Sequence, residues 1–141
     1  MTRIDFHTNI PDKLSYACRL VRKARAADCR IVLLAADRNE LNALDQALWT
    51  FSEHDFLPHV LADDPLAANT PIVLTDSDTA ELPHYHVLIN LSAGTPAHFA
   101  RFERMFEIIS SDEADTLAGR DRFRFYKQRG YPLTHFVADK A

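Results

Sequence analysis

Residues 30–35 have the sequence Arg30-Ile31-Val32-Leu33-Leu34-Ala35, which is a near-continuous apolar run. A strand with this pattern is typically covered on both faces, as strands of parallel sheets are. Before it lies an amphipathic segment, residues 13–27, that Asp12 can cap, and after it Asp37 can cap a second helix ending near Trp49. Residues 3–7 form a short opening strand. Strand, helix, strand and helix at this spacing predict a parallel sheet with right-handed crossovers.

The rest of the chain adds further buried strands and a last helix. Apolar runs predict strands at residues 72–74, 87–91 and 104–109. Thr95 can cap a short helix opened by Pro96, and Asp112 begins a final helix that runs to about residue 129. Residues 50–71 are predicted to be a loop, and residues 131–141 receive no assignment. The expected fold is one three-layer α/β domain spanning residues 1–141, with a mainly parallel sheet and helices on both faces.

Composition limits the class of protein. The chain has 141 residues, of which 47% are hydrophobic and 26% charged, and its net charge is −4. These values exclude wholesale disorder and bulk wrapping of nucleic acid. Cys18 and Cys29 form no CxxC pair, which favours a reducing cytosol, and Cys18 lies on the core side of its helix. No apolar run has the length of a signal peptide or a membrane span, so we expect a cytoplasmic protein.

Charge is segregated along the chain. Residues 39–100 contain nine acids and neither lysine nor arginine, whereas residues 1–38 contain eight basic residues and four acids. Residues 120–129 hold five basic residues against Asp121. An acidic middle with basic flanks is suited to binding different partners on surfaces of opposite sign, although charge runs are also typical of solvated faces.

Catalytic and cofactor motifs are weak in this sequence. The three glycines form neither a GxGxxG motif nor a P-loop, and no GxSxG elbow is present, so we expect no cofactor and no catalytic residue. The strongest alternative is a metal-dependent enzyme. His84 and His86 would share one face of a strand, and Asp76 and Asp78 precede them, which is a donor set that could hold zinc or iron.

The last helix predicts a binding face. At 100° per residue its sequence divides into an apolar side and a basic side. The predicted core side consists of Ala114, Leu117, Ala118 and Phe125. The predicted exposed side consists of Thr116, Arg120, Phe123 and Lys127, with Arg124 at its edge. An aromatic ring among cations suits an acidic peptide with an apolar end and a free carboxylate, or single-stranded nucleic acid, and the acidic remainder of the chain favours the peptide.

A second aromatic group follows the second helix. Trp49 and Phe51 lie at the helix end, and Phe56 begins the segment Phe56-Leu57-Pro58-His59. These rings either close the core beneath a long loop or anchor a partner, because aromatic residues at an acidic, loop-rich site are common interface anchors. From the residues alone both interpretations stay open.

Several segments together resemble the chi subunit of bacterial DNA polymerase III. They are, in chain order, the opening strand with Phe6, Leu44-Asp45-Gln46-Ala47-Leu48-Trp49, Phe56-Leu57-Pro58-His59, and residues 120–127 with Gly130-Tyr131. The likeness covers nearly the whole chain and depends on the ordered set, since no single motif is diagnostic.

The resemblance implies a non-catalytic accessory protein of Rossmann-like topology that acts in DNA replication and DNA repair. Members of the family pair with a psi subunit, which attaches them to the clamp loader. They also hold the acidic C-terminal tail, ending in Pro-Phe, of the single-stranded-DNA-binding protein. The resemblance therefore implies contact with DNA only through partners, no membrane association, and a monomer within a heterodimer.

Matching positions assign the family's site residues to residues of this chain. Arg120 and Phe123 match the tail-binding basic and aromatic residues, and Ile109 matches an apolar pocket residue. Thr116 lies where a lysine is expected, which implies weaker tail binding or a larger share for neighbouring arginines. The helix pattern adds two further cations, Arg124 and Lys127. The predicted tail site is Ile109, Thr116, Arg120, Phe123, Arg124 and Lys127.

The same resemblance favours the partner interpretation of the second aromatic group. Trp49 and Phe56 match the aromatic residues associated with the psi-type partner. The predicted psi-type surface is Trp49, Phe56, Leu57, Pro58 and His59.

Overall fold

The structure is a computed structural model of the chain, and it describes residues 1–51 and 57–138. The described residues form one seven-stranded sheet and three α-helices. The strands are β1 (Arg3–Ile10), β2 (Ile31–Leu34), β3 (His59–Leu61), β4 (Ile72–Thr75), β5 (Val87–Asn90), β6 (Arg104–Ser110) and β7 (Leu133–Val137). The helices are α1 (Lys13–Ala26), α2 (Arg38–Thr50) and α3 (Glu113–Gln128).

All strand pairs are parallel, in the order β3-β4-β2-β5-β6-β1-β7. The strands β2, β4 and β5 lie inside the sheet and are buried along their whole length, which agrees with their continuous apolar sequences. The predicted three-layer α/β architecture with a parallel sheet is confirmed.

Helices α1 and α2 cover one face of the sheet through apolar stripes. Asp12 caps α1 and Asp37 caps α2, as the sequence predicts. Each carboxylate accepts the N–H of the residue three positions later in the chain. The buried stripe residues are Ala17, Cys18 and Val21 of α1 and Leu41, Leu44 and Leu48 of α2. They pack into one apolar cluster with alternate side chains of the central strands. The opposite face is covered by α3 and two short 3-10 turns.

The two cysteines are free thiols. Burial raises the pKa of Cys18 to about 11, so this thiol stays protonated at neutral pH and behaves as the small core residue that the sequence predicts. Among residues 1–51 and 57–138, no helix is both long and apolar enough to cross a membrane.

Two strands lie in segments for which the sequence pattern predicts no strand. Residues 50–71 include β3, which is only three residues long and pairs with β4, so the prediction of a continuous loop is wrong there. Residues 131–138 include β7, which pairs with β1. Both strands lie at the edges of the sheet, where a strand pairs with a single neighbour and its apolar residues alternate only weakly.

The predicted helix opened by Pro96 is absent. The chain instead forms a turn in which Ala97 donates its N–H to Asp78, and a 3-10 turn follows at Phe99–Arg101. Phe99 is buried beneath α3, so packing of this ring onto Tyr126 takes precedence over a regular helix.

The predicted core side of α3 is wrong at two of its four residues, since only Ala118 and Phe125 are half-buried. Leu117 is 53% exposed and Ala114 is exposed, whereas Gly119, Arg122 and Tyr126 are buried. The helix is therefore rotated about its axis relative to the apolar pattern. The reason is that a buried polar network acts together with the aromatic packing of Phe123, Phe125 and Tyr126 in holding α3 against the sheet.

Candidate functional site

A buried polar network fixes the orientation of α3. The Glu107 carboxylate on β6 is fully buried and accepts hydrogen bonds from both Arg122 Nε and Nη2, each at 3.1 Å. Tyr126 donates its hydroxyl to the same carboxylate at 2.6 Å, and Asn90 on β5 donates its amide at 2.9 Å. Burial raises the pKa of Glu107, while Arg122, Tyr126 and Asn90 act against that rise. Because the charge is compensated only when α3 presents Arg122 and Tyr126 inward, this network sets the rotation of the helix.

A close contact between backbone and side chain is the second constraint on α3. Gly119 lies directly over Ile109 of β6, and a Cβ added at Gly119 would clash with the Ile109 side chain. Only glycine allows the helix to approach the strand this closely. The approach leaves Ile109 as the apolar floor between α3 and the neighbouring strands.

The first turn of α3 is tied to the end of β6. Asp115 accepts the N–H of Ser110 at 2.7 Å and pairs with Lys13 of α1 at 3.2 Å. Burial alone would raise the pKa of Asp115, but the Ser110 N–H and Lys13 hold it below its usual value. Asp112 caps the helix by accepting the N–H of Asp115. These contacts hold the N-terminal half of α3 in place beside β6.

The face of α3 that remains accessible borders a groove of about 360 Å³, here called the α3 groove. It lies between the helix and the strands β1, β6 and β7. Its lining residues are Phe6, Thr8, Ile109, Thr116, Gly119, Arg120, Phe123, Arg124 and His135. The floor is apolar and the helix rim is basic, so the groove can accept an apolar side chain that carries a nearby negative charge.

The structure brings five of the six predicted tail-site residues into this one groove. Lys127 is the exception: it is exposed and does not line the groove. Phe123 is not the exposed ring that the helix pattern predicts, because it is half-buried and packs edge-on against Phe6 with ring centroids 5.0 Å apart. It therefore forms a wall of the groove instead of standing in solvent.

Arg120 is the principal cation of the groove. It is exposed on the helix rim, whereas Arg124 forms an ion pair with Asp121 at 3.3 Å. An exposed pair of this kind is weak, so an incoming carboxylate can compete for Arg124. The Thr116 hydroxyl donates to the Asp112 carbonyl at 2.8 Å and supplies no charge. A guanidinium above an apolar pocket is well suited to bind a carboxylate.

Four lining residues were missed from the sequence. Phe6 and Thr8 come from β1, His135 comes from β7, and Gly119 comes from the middle of α3. The glycine was the available signal, because an isolated glycine inside a helix marks a close approach. His135 could not be placed without β7, whose pairing with β1 is a tertiary contact.

The second predicted surface surrounds Trp49, which is 51% exposed at the end of α2. Its ring packs against His59 at a tilt of 46° with centroids 4.3 Å apart, and His59 Nε2 lies 3.1 Å from the Asp45 carboxylate. Leu57 and His59 are buried, Pro58 is half-buried, and Phe56 lies outside the described residues. The buried His59 ring thus supports Trp49 at the surface. This surface lies on α2, on the other side of the sheet from α3.

The alternative metal site is not assembled. In the parts of the chain that the structure describes, no group of three His, Cys, Asp or Glu side chains could hold a metal ion. His84 is buried, His86 Nε2 lies 3.4 Å from Glu103, and Asp78 accepts the Ala97 N–H. His86 and Asp78 take separate partners instead of converging on one site with His84.

Comparison with known proteins identifies the family. The family model described as "DNA polymerase III chi subunit, HolC" matches residues 1–134. The chain belongs to the DNA polymerase III chi subunit family. It is 38% identical to DNA polymerase III subunit chi of Pseudomonas aeruginosa over 140 residues, covering 94% of each chain. The corresponding subunits of Haemophilus influenzae and Escherichia coli are 22% and 20% identical, covering 84% and 82% of this chain and 82% and 79% of theirs.

Membership of this family confirms the resemblance drawn from the sequence. The chi subunit is an accessory, non-catalytic component of the polymerase that acts in DNA replication. The α3 groove and the Trp49 surface are thus candidate binding sites on a replisome subunit.

Proposed function

We propose that this chi subunit links the clamp loader to single-stranded-DNA-binding protein. The α3 groove would hold the acidic C-terminal tail of that protein, and the Trp49 surface would hold a psi-type subunit. The observation that carries the proposal is the convergence of Ile109, Arg120 and Phe123 on one groove. Ile109 lies on β6, and Arg120 and Phe123 lie on α3.

The chemistry of the groove suits a tail that ends in Pro-Phe. The terminal carboxylate pairs with the Arg120 guanidinium, and the phenylalanine ring enters the apolar space bounded by Ile109 and Phe123. Acidic residues upstream are steered by the cations at the rim, so binding weakens with salt. A single tail binds modestly, but many tails on one coated strand raise the effective concentration. The protein thereby reaches DNA through its partner, in replication and wherever coated strands arise in repair.

Fluorescence anisotropy with a labelled acidic peptide ending in Pro-Phe tests this site. We expect salt-sensitive binding of the free acid and not of the C-terminal amide. Arg120→Ala should weaken binding about tenfold or more, because a charge-assisted hydrogen bond is lost. Lys127→Ala is the matched control, since Lys127 is an exposed cation of the same helix outside the groove.

Two further outcomes bear on the assignment. Thr116→Lys should tighten binding of the free acid, because it adds a cation to the rim next to Ile109. Equal affinities of the wild type and Arg120→Ala would reject the groove. Tight binding of an oligo-dT strand without any protein partner would favour direct binding of single-stranded nucleic acid instead.

The psi-type surface is tested separately by co-purification with a psi subunit. Trp49→Ala should abolish co-purification and leave peptide binding unchanged, because a half-exposed tryptophan that packs on a buried ring is a typical hot spot. Leu66→Ala is a matched control, since Leu66 is an exposed apolar residue outside this surface. Retention of psi by the Trp49 variant would reject the surface.

A further inference from the structure

The edge strand β7 leaves backbone groups available for pairing. It is the last strand of the sheet, and within residues 1–51 and 57–138 no strand pairs with its outer edge. Ala138 donates its N–H to the Thr8 carbonyl of β1. Because successive residues of a strand direct their backbone groups to opposite edges, the N–H and C=O groups of Leu133, His135 and Val137 point away from β1.

This edge has few features that discourage strand addition. The β7 sequence contains neither lysine nor proline, and Phe136 and Val137 are 58% and 56% exposed. Natural edge strands are commonly protected by charges, prolines or bulges, and an unprotected apolar edge is a template for another strand. Exposed apolar residues of this kind often mark a docking surface.

A second groove borders the other side of β7. It has a volume of about 630 Å³, lies between α1 and the face formed by strands β6, β1 and β7, and is here called the α1 groove. Its cations are Arg3, Lys23 and Arg104, and its exposed aromatic residue is Phe136. Arg3 and Lys23 are exposed to solvent.

The α1 groove has an excess of positive charge although the whole chain carries −4. Among its described lining residues Asp5 is the one acid, and it already pairs with Arg104 Nε at 2.8 Å and accepts the Thr134 hydroxyl. Burial, the largest influence, lowers the pKa of His7, so this ring adds no charge at neutral pH. The charges of Arg3 and Lys23 therefore remain uncompensated within the groove.

The two grooves meet at β7, because His135 lines both of them. We propose that β7 and the α1 groove bind the acidic segment that precedes the apolar end of the tail, as an added β-strand. The partner's identity rests on the function proposed above. Main-chain hydrogen bonds form along Leu133, His135 and Val137, and acidic side chains alternate between cations of the two grooves.

A peptide fits these features better than a nucleic acid strand. An open strand edge offers donors and acceptors at the spacing of an extended polypeptide, which a sugar-phosphate backbone does not share. The two rows of cations, Arg3 and Lys23 on one side and Arg120 and Arg124 on the other, flank that edge. This arrangement is complementary to an extended chain with acids on both faces.

The test compares two labelled peptides that share the same Pro-Phe end. The long peptide carries an acidic extension of about five residues, the length of β7, and the short peptide lacks it. We expect the long peptide to bind wild-type protein about tenfold more tightly in anisotropy at low salt. Lys23→Glu should remove most of this gain and leave the short peptide unaffected.

Backbone pairing is tested at Val137, whose N–H points outward. Val137→Pro removes that N–H without disturbing the bonds to β1, and Val137→Thr is the matched control because it keeps the N–H and the branched side chain. We expect the proline variant to lose several-fold of the gain and the threonine variant to retain it. Thermal melting followed by circular dichroism verifies that both variants are folded.

Each contrary outcome has a distinct meaning. Equal affinities of the long and short peptides, or a gain that survives both Lys23→Glu and Val137→Pro, would overturn the strand-addition proposal and leave the tail site intact. Failure of both peptides to bind wild-type protein would overturn the proposed function and this inference together. A neutral extension that binds as well as the acidic one, or an oligo-dT strand that binds tightly and depends on Lys23, would reject an acidic peptide as the occupant.

Discussion

The sheet face covered by α1 and α2 differs from the face covered by α3 in what orients its helices. Leu41, Leu44 and Leu48 of α2 form a continuous buried stripe, and apolar burial alone determines which side of the helix faces the sheet. On the other face, α3 buries Arg122 and Tyr126 around the Glu107 carboxylate. A polar network demands particular partners and angles, so it fixes one rotation of the helix. That rotation is what brings Arg120 and Phe123 to the edge of the α3 groove.

The largest expected effect comes from breaking this polar network. Arg122→Met should lower the free energy of unfolding by about 3–5 kcal/mol, because Glu107 is left buried without its counter-charge. Urea unfolding followed by circular dichroism measures the change. Arg120→Met is the matched control on the exposed side of α3 and should change stability by less than about 0.5 kcal/mol. Similar losses in both variants would contradict the role given to the network.

A cavity on the apolar face should cost nearly as much. Leu44→Ala, at a fully buried position of α2, should reduce the free energy of unfolding by about 2–5 kcal/mol through lost transfer energy and the residual cavity. The same urea experiment measures it. A loss below about 1 kcal/mol would show that the α1 and α2 face repacks more readily than a close-packed core does.

The pH dependence of these two variants should separate the faces. Burial raises the pKa of Glu107, and Arg122 is the group that counters this rise most strongly. Removing Arg122 therefore raises the pKa of Glu107 further in the folded state. When a carboxyl group has a higher pKa in the folded state than in the unfolded state, the protein loses stability as the pH rises from the unfolded to the folded value. The stability loss of Arg122→Met should therefore be larger at pH 8 than at pH 5. The loss of Leu44→Ala should be equal at both pH values, and a matching pH dependence in the two variants would refute the distinction.

A smaller effect is expected at the contact between α3 and β6. Gly119→Ala should destabilise the fold by about 1–2 kcal/mol, since crowding against Ile109 outweighs the gain in helix propensity. The added methyl group should also weaken binding of the acidic peptide, because both residues line the α3 groove. Gly94→Ala is the control, as no atom lies within 4 Å of its added Cβ. Unchanged stability and binding in Gly119→Ala would show that Ile109 moves aside without cost.

More of the fold than of the candidate site could be predicted from the sequence. The apolar run of β2, the caps Asp12 and Asp37 and the stripes of α1 and α2 are local patterns, and the structure confirms them. The family was also accessible, because the ordered set of aromatic and basic segments spans the chain and the family model confirms it. The proposed roles of Arg120, Phe123 and Trp49 remain predictions for the binding experiments.

Tertiary contacts decided what local patterns could not. The helix pattern placed Leu117 inside and Phe123 outside, because it assumes that apolar residues face the core. In the structure Leu117 is exposed and Phe123 is half-buried, since the free energy of compensating Glu107 requires Arg122 to point inward. The strand β7 likewise exists through its pairing with β1, and it supplies His135 to both grooves.

The sequence by itself determined the parallel α/β fold, the two apolar helix stripes and the membership of the chi subunit family. These properties follow from the periodicity of side chains along single elements and from the order of motifs, both of which are written locally in the chain. Only the tertiary structure decided the rotation of α3, the edge position of β7 and the shape of the α3 groove. The rotation of α3 depends on a buried charge and its partners on other elements, and the position of β7 depends on its pairing with β1. Both are free energies of contact between distant segments, which no single segment contains.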